Sequence, residues 1–397
     1  RGCTRTPAGR LPQAKEEEAV KTVSREQMRE LEARTIGVFG IAGSVLMDRA
    51  GLGVANVVHR LSAVLRPHHT PILVCAGKGN NGGDAFAAAR YLHAWGYPVM
   101  VAMTTRAACL AGKAKEHWTR MFKSGVSFLE LAEEKDWHGP LMGTPADPPI
   151  VVDGILGTGI QGPVTGTPLA AIRYINSVRP ASPVVAIDVP SGLNADSGRP
   201  EGESVLADIT VTMGLPKKGF AEPDALESVG TVEVVDIGIP DSLLSSMASE
   251  VGFVSARECA ALLPPRHRAS HKGTFGHVLV VGGAAGYAGA PALAAMAALR
   301  SGAGLVTVLA PRSIATIVAG FAPEVMVHPG AETTTGSLSA GALHDWNHAL
   351  GSFTSAVVGP GLTRHPDSPA VVEHLLRDTR CTLVLDADAL NVLAGRI

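Results

Sequence analysis

The stretch Pro71-Ile-Leu-Val-Cys-Ala-Gly-Lys-Gly-Asn-Asn-Gly-Gly-Asp84 joins an apolar run to a glycine-rich turn. Ile72 to Cys75 read as a short, fully buried strand, and the glycines after it end the strand and let the backbone turn sharply. A helix is expected from about Asp84 through Ala-Phe-Ala-Ala-Ala-Arg-Tyr-Leu. Such a turn gathers unpaired N–H groups and the positive end of the helix dipole at one point, which suits phosphate.

Gly77-x-Gly79-x-x-Gly82 also matches the dinucleotide pattern of a Rossmann dehydrogenase, which asks for an acidic residue about 20 positions further on. The next expected strand, Pro98 to Met103, runs into Thr104-Thr105-Arg106 with no carboxylate. Asn80, Asn81 and Asp84 place two amides and a carboxylate in the turn, donors for an ion or a polyol as well as phosphate. An ordinary strand-to-helix turn would use Gly and Asn too, because both tolerate φ > 0.

Outward from this turn, a chain of 397 residues is long enough for about two domains. Its net charge of −2 advertises no nucleic-acid or membrane partner. Hydrophobic residues make up 46%, aromatics only 4%, and there are 45 glycines, a balance that suits close-packed α/β layers. The five cysteines, Cys3, Cys75, Cys109, Cys259 and Cys381, are scattered without metal spacing or a disulfide framework, so a reducing cytoplasm is expected. A homo-oligomer is expected. Arg1 to Lys15 lack the apolar segment of a secretory signal, and residues 1–22 read as a disordered leader or part of a transit peptide.

Ser24-Arg-Glu-Gln27 is a capping box opening a first helix with Met28 and Leu31 on one face. A second helix, about Gly43 to Leu65, has Val45, Leu46, Val54, Val57, Val58 and Leu61 as apolar positions. After the first strand and its helix, strands at 98–103, 150–153, 183–188, 208–213 and 231–236 are interleaved with helices at about 111–124 and 168–178. This alternation predicts a Rossmann-like doubly wound, mostly parallel α/β sheet, whose ligands bind at the carboxyl ends of strands. Two more such ends carry polar groups: Asp153, followed by Gly154-Ile-Leu-Gly157-Thr158-Gly159, and Asp188, followed by Val189-Pro190-Ser191-Gly192. Asp and Ser favour turns anyway, but three strand ends bearing Asn, Asp or Ser point to one site. Ser191 lacks the elbow of an esterase nucleophile.

Gly-Asn-Asn-Gly-Gly-Asp, Val-Asp-Gly-Ile-Leu-Gly-Thr-Gly and Asp-Val-Pro-Ser-Gly-Leu-Asn, with Ala207-Asp-Ile-Thr-Val-Thr-Met-Gly-Leu-Pro-Lys-Lys-Gly219, resemble the NAD(P)H-hydrate epimerase family over residues 23–240. The resemblance implies a potassium ion held by Asn81, Asp153 and Ser191. It also implies pyrophosphate and ribose contacts from Asn80, Asn81, Gly82, Gly83 and Asp84 and from Gly157, Thr158, Gly159, Ile160, Gln161, Gly162 and Pro163. Asp188 falls near the reacting ring. The implied substrate is NAD(P)HX, whose hydroxyl sits on a carbon beside the ring nitrogen in R or S form. Loss of hydroxide gives a planar cation, return from the other face inverts the centre, and Asp188 is the expected catalytic acid and base. A non-catalytic nucleotide-binding or assembly module on the same fold is the alternative; it would not need Asn81, Asp153, Asp188 and Ser191 together.

Residues 241–255 read as a linker. Beyond it, His271-Lys-Gly-Thr-Phe-Gly276, the strand ending Gly282-Gly283, Gly286-Tyr-Ala-Gly-Ala290-Pro291, Gly359-Pro-Gly361 and Leu385-Asp-Ala-Asp388-Ala-Leu-Asn391 resemble NAD(P)H-hydrate dehydratase. That is a ribokinase-like α/β fold that uses ADP or ATP, with Mg²⁺, to drive loss of water. Ala290 and Gly361 are its implied substrate contacts here. The family's Gly-x-Gly-Asp and His-Pro-Gly-Glu strings do not occur after Asn391. The expectation is therefore a partial ribokinase-like domain over 256–397, incomplete at its C-terminus and inactive as a dehydratase.

Overall fold

The computed structural model describes residues 20–65, 70–139, 141, 148–249, 251–254, 256–263, 265–346 and 350–395. They divide into two compact units, the first ending in sequence at Leu263.

The first unit opens with β1 (Val20–Lys21), α1 (Arg25–Gly37) and α2 (Gly43–Leu65). Next come β2 (Ile72–Ala76), α3 (Asn80–Ala94), β3 (Val99–Met103), α4 (Gly112–Lys123) and β4 (Ser127–Glu130). Its second half runs through β5 (Ile150–Gly154), α5 (Gly166–Val178), β6 (Val184–Ile187), β7 (Ile209–Met213), α6 (Leu226–Val229) and β8 (Thr231–Val235). The last elements are α7 (Asp241–Ser246), β9 (Gly252–Phe253) and α8 (Ala256–Leu262). Seven strands form one sheet in the order β4-β3-β2-β5-β6-β7-β8, every pair parallel. The period-two pleat sorts the apolar run that opens at Pro71 onto two faces. Ile72, Val74 and Ala76 join α2 and α3 residues such as Val54, Val58, Phe86 and Leu92. Leu73 and Cys75 face the other way, into a core with Ile172 and Ile175 of α5.

Several expectations shift. The capping box at Ser24 forms as read, with Gln27 N–H donating to Ser24 Oγ and Ser24 N–H to Gln27 Oε1. Helix α3 starts four residues earlier than expected, because Gly83 N–H already donates to Gly79 O and the two amides lie in its first turn. Val45 is 41% exposed and off the buried face of α2. Edge strand β4 has an exposed, weakly apolar pattern that gave no strand signal. Residues 241–255 are not a free linker: α7 buries Leu243 in the first core, and β9 pairs antiparallel with β1. That pairing also ties down Val20 and Lys21 from the expected leader; residues 1–19 lie outside the described residues.

The second unit contains β10 (His277–Val281), α9 (Gly289–Ser301), β11 (Leu305–Pro311), α10 (Arg312–Ala319) and β12 (Met326–Gly330). It continues with β13 (Ser355–Val358), α11 (Ser368–Asp378), β14 (Thr382–Leu385) and α12 (Asp388–Leu393). Its five strands are again all parallel, ordered β12-β11-β10-β13-β14. Val280, Val306 and Val308 pack with Ala292 and Ala295 of α9 on one face. Leu279, Val281, Ala356 and Val358 pack with Val371, Val372 and Leu375 of α11 on the other. Among the described residues no helix is long and apolar enough to cross a membrane.

Candidate active site

In the first sheet the chain order reverses between β2 and β5, so the turns leaving these strands diverge and open a crevice at their carboxyl ends. A cavity of about 220 Å³ lies there. Asn80, Asn81 and Asp84 of α3, Gly157 to Gly159 after β5, Asp188 after β6 and Met213 at the end of β7 line it. Arg29 and Glu32 of α1 and Lys113 of α4 add to its polar wall, and Met28, Leu46, Met47 and Ile237 supply apolar surface.

Behind Asn81 sits a fully buried polar cluster. Ser191 Oγ donates to Asp153 Oδ1 (2.6 Å), and the Ser191 and Ile155 N–H groups donate to the same carboxyl (2.8 and 3.2 Å). Leu156 N–H donates to Ser191 Oγ (2.8 Å), while Leu156 O accepts from Asn81 Nδ2 (2.9 Å). Burial pushes the Asp153 carboxyl up to about 6 against the lowering effect of these donors. The buried Cys75 thiol is raised by burial and then by the Asp153 charge. Asn81 Oδ1 is buried without a partner among the described residues. A buried carboxylate with no ion-pair partner and an orphaned carbonyl oxygen, both among the described residues, fit a cation, since such groups are normally paired or bound to metal. Amide, hydroxyl and carboxylate oxygens are hard donors, suited to an alkali or alkaline-earth ion rather than a soft metal.

Asp188 is held differently. It adopts φ +62°, an uncommon conformation for a residue with a side chain. Its Oδ1 accepts from Lys217 Nζ (2.6 Å), Met213 N–H (3.2 Å) and Thr212 Oγ1 (3.3 Å). Lys217 is wholly buried, and its ammonium also donates to Thr212 Oγ1 and to the Leu215 and Met213 carbonyls. Oδ1 is thereby fixed in a residue that lines the cavity. Around it, burial and the Asp188 charge raise the Glu32 and Asp84 carboxyls, Asp84 well above the usual range, with Glu32 adding to the shift of Asp84.

The structure thus gathers Asn80, Asn81, Asp84, Gly157, Thr158, Gly159 and Asp188 at one cavity, with Asp153 and Ser191 in contact behind it. It does not bring the other expected contacts there. Gly82 and Gly83 are packing positions: an added Cβ would lie 1.9 Å from Gly77 O and 2.4 Å from Met47 Sδ respectively. Ile160 is outside the lining, its carbonyl taken by Arg25 Nη1, and Gln161, Gly162 and Pro163 are exposed. In the second unit Ala290 and Gly361 do meet, a Cβ on Gly361 (φ +68°) falling 3.4 Å from that of Ala290. Sequence reasoning missed Lys217, Thr212, Lys113 and Glu32. Lys217 stood inside the quoted Leu-Pro-Lys-Lys string, where a lysine among apolar residues was the available signal. Glu32 looks like any charged position of an amphipathic helix.

The model of the YjeF-related protein N-terminus matches residues 43–219, and the NAD(P)H-hydrate dehydratase model matches residues 278–397. The bifunctional NAD(P)H-hydrate repair enzyme Nnr of Moorella thermoacetica is 38% identical over 94% of this chain and 69% of its own length. That of Coxiella burnetii is 35% identical over 93% of this chain and 70% of its own. A solved ADP/ATP-dependent NAD(P)H-hydrate dehydratase from Bacillus subtilis, co-crystallised with ATP and Mg²⁺, is 28% identical, with a TM-score of 0.30. It covers 36% of this chain and 48% of its own. The second unit is therefore a dehydratase-family domain, and the expectation that it is incomplete and inactive finds no support in these matches. The chain belongs to the bifunctional NAD(P)H-hydrate repair enzyme family, with an epimerase and a dehydratase domain.

Proposed function

We propose that the first unit interconverts the R and S forms of NADHX and NADPHX at the cavity after β2, β5, β6 and β7. The observation that carries this is Asp188, which lines a polar cavity and whose carboxylate is immobilised by a buried lysine. A fixed carboxylate beside a cavity holds a proton-transfer group in place and stabilises the planar cation formed when hydroxide leaves. The nicotinamide ring fits the Asp188 end, and the N-terminus of α3 with Asn80 suits the pyrophosphate.

Asn81, Asp153 and Ser191, with Leu156 O beside them, are the residues that would hold potassium. When bound, the ion supplies counter-charge to Asp153 and to phosphate. Asn81 then positions the first turn of α3, and Ser191 the turn that carries Asp188.

For the second unit we propose binding of the same hydrated nucleotides beside Ala290 and Gly361 and ADP- or ATP-dependent loss of water with Mg²⁺, as in the Bacillus relative. Supplying pure S epimer with ADP or ATP and following recovery of reduced-nicotinamide absorbance tests this.

For the first unit, Asp188→Asn should lower epimer interconversion by about 10²–10⁴-fold while the hydrate still binds. An unchanged rate would move proton transfer to another group. A wild-type chain that binds the hydrate without interconverting its epimers would be a binding module.

A further inference from the structure

Three loops leave the carboxyl ends of β5, β6 and β7 and carry the site. They hold Gly157 to Gly159, then Asp188 and Ser191, then Lys217. The ladder between β5 and β6 ends at Asp153 and Ala186, and that between β6 and β7 at Ile187 and Val211. The spacing of the loops beyond those points depends on contacts outside the ladder.

The chain just before and within the first turn of α1 touches all three loops. Arg25 donates its backbone N–H to Asp196 Oδ1 (2.8 Å), and its Nε lies 3.3 Å from Asp196 Oδ2, in the loop after β6. The same guanidinium donates through Nη1 to Ile160 O (3.2 Å), in the loop after β5. Val23 N–H donates to Pro216 O (2.9 Å) and Val23 O accepts from Lys218 N–H (2.8 Å), bracketing Lys217 in the loop after β7. Gly219 N–H donates to Ala195 O (2.8 Å), beside Asp196, and closes a ring through both loops and back to α1.

We propose that Arg25 is a positioning residue for epimerisation, the latch that fixes the loops after β5 and β6 against α1; this rests on the epimerase reading above. Arg25 does not line the cavity and acts through residues that do. Its partner is preset, because the Asp196 and Ser197 N–H groups donate to Asn194 Oδ1 (3.0 and 3.1 Å) and fold the loop around the carboxylate. The Arg25 N–H is one of the donors that a helix start leaves unpaired, and a carboxylate there also meets the positive end of the dipole. Asp196 thereby anchors α1 itself, which brings Met28, Arg29 and Glu32 to the cavity. The planar guanidinium spans a carboxylate on one loop and a carbonyl on another, which the single point charge of a lysine does not reproduce. With side chains 30% and 37% exposed, the pair adds little to overall stability, so its effect falls on loop spacing.

The test uses the full chain with a single purified epimer of NADPHX, following the other epimer by chromatography, alongside melting and hydrogen exchange. Arg25→Met should lower kcat about 10–10²-fold, the scale of a small misplacement at a reacting centre, with KM changing less. Its Tm should fall by under about 4 °C, while amides at Gly157 to Gly159 and in the Lys217 turn exchange faster. Asp196→Ala should match it, and the double variant should be no slower than either, because both open one latch. Arg25→Lys, which keeps the charge facing Asp196, should regain part of the rate. A wild-type kcat in Arg25→Met, losses that multiply in the double variant, or a melting loss that leaves the chain partly unfolded in the assay would overturn the assignment. A wild-type chain with no activity above the spontaneous rate overturns the epimerase reading instead. Exchange at the loops then decides the latch by itself, and unchanged exchange in Arg25→Met overturns it too.

Discussion

The exits of β2 and β5 and the exits of β10 and β13 are built alike. In each, a central strand ends in a glycine packed against the backbone of the neighbouring exit turn. A Cβ on Gly77 would fall 1.9 Å from Ile155 O, and one on Gly282 would fall 2.3 Å from Pro360 O. Each sheet reverses its strand order at that place. What stands at the two places differs. The first has a wholly buried lysine on Asp188, with a buried carboxylate and an orphaned amide oxygen behind it. At the second, Asp388 accepts from Thr363 N–H, and its ion-pair partner Arg364 is 72% exposed at 3.9 Å. One topology thus supplies the reversal twice, while burial decides whether charge placed near it is rigid or solvated.

The largest expected effect breaks that contrast at its ion pairs. Lys217→Met leaves Asp188 in place without its buried partner and should destabilise the first unit by about 3–5 kcal/mol. It should also abolish measurable epimerisation, because Oδ1 is no longer fixed. Arg364→Met removes the exposed counterpart and should cost under about 1 kcal/mol. Chemical denaturation of both variants, with epimer interconversion measured in the folded range, checks this; similar losses would show that burial does not separate the two pairs.

A smaller effect tests the shared clasp. Gly77→Ala and Gly282→Ala each force a backbone shift, at about 1–3 kcal/mol for overpacking. Hydrogen exchange should report Gly77→Ala as loosening at β2 and β5 with slower epimerisation. Gly282→Ala should loosen β10 and β13 and leave epimerisation at its wild-type rate. If each variant instead disturbed the strands of the other unit, the two sets of exits would not be independent.

Much of this was legible in the sequence because strand ends are local. The apolar runs ending at Ala76, Asp153 and Ile187 placed three turns on one sheet edge, and the parallel order followed from alternation with helices. Asn81, Asp153 and Ser191 were readable because each stands within a few residues of a strand end. At Gly82 and Gly83 the sequence could not show the packing role, because glycine in such a turn serves ligand approach and helix packing equally well, and only Gly77 O and Met47 reveal the second. Lys217 and Glu32 were illegible for a different reason. Their partners come from elements distant in sequence, and a charged residue on a strand exit or helix face carries no sign of being turned inward. The helix at 241–246 was lost because its short Ser-rich pattern looks like a linker until Leu243 finds its core.

The smallest expected effect concerns the cation, and it sharpens the contrast at the deepest point of the first crevice. An ion that binds only the folded chain stabilises it by RT ln(1 + [L]/Kd), about 1.4 kcal/mol at ten times Kd. For a unit of this size that amounts to about 3–6 °C in Tm. Potassium chloride should therefore raise the Tm above that in choline chloride at equal ionic strength, which controls for screening. Ser191→Ala removes one oxygen and the hydrogen bond to Asp153, so the potassium increment should shrink. Asp153→Asn removes the only charged donor of the cradle, and the increment should vanish. The gain in hydrogen-exchange protection should fall on the turns carrying Asn81, Leu156 and Ser191. At the exits of β10 and β13 Asp388 already accepts from Thr363 N–H and Asn391 Nδ2 and sits partly in solvent, so protection there should stay the same in both salts. Equal melting of wild type in potassium and choline would leave Asn81 Oδ1 without a ligand and make the cluster a purely hydrogen-bonded brace for the Asp188 turn.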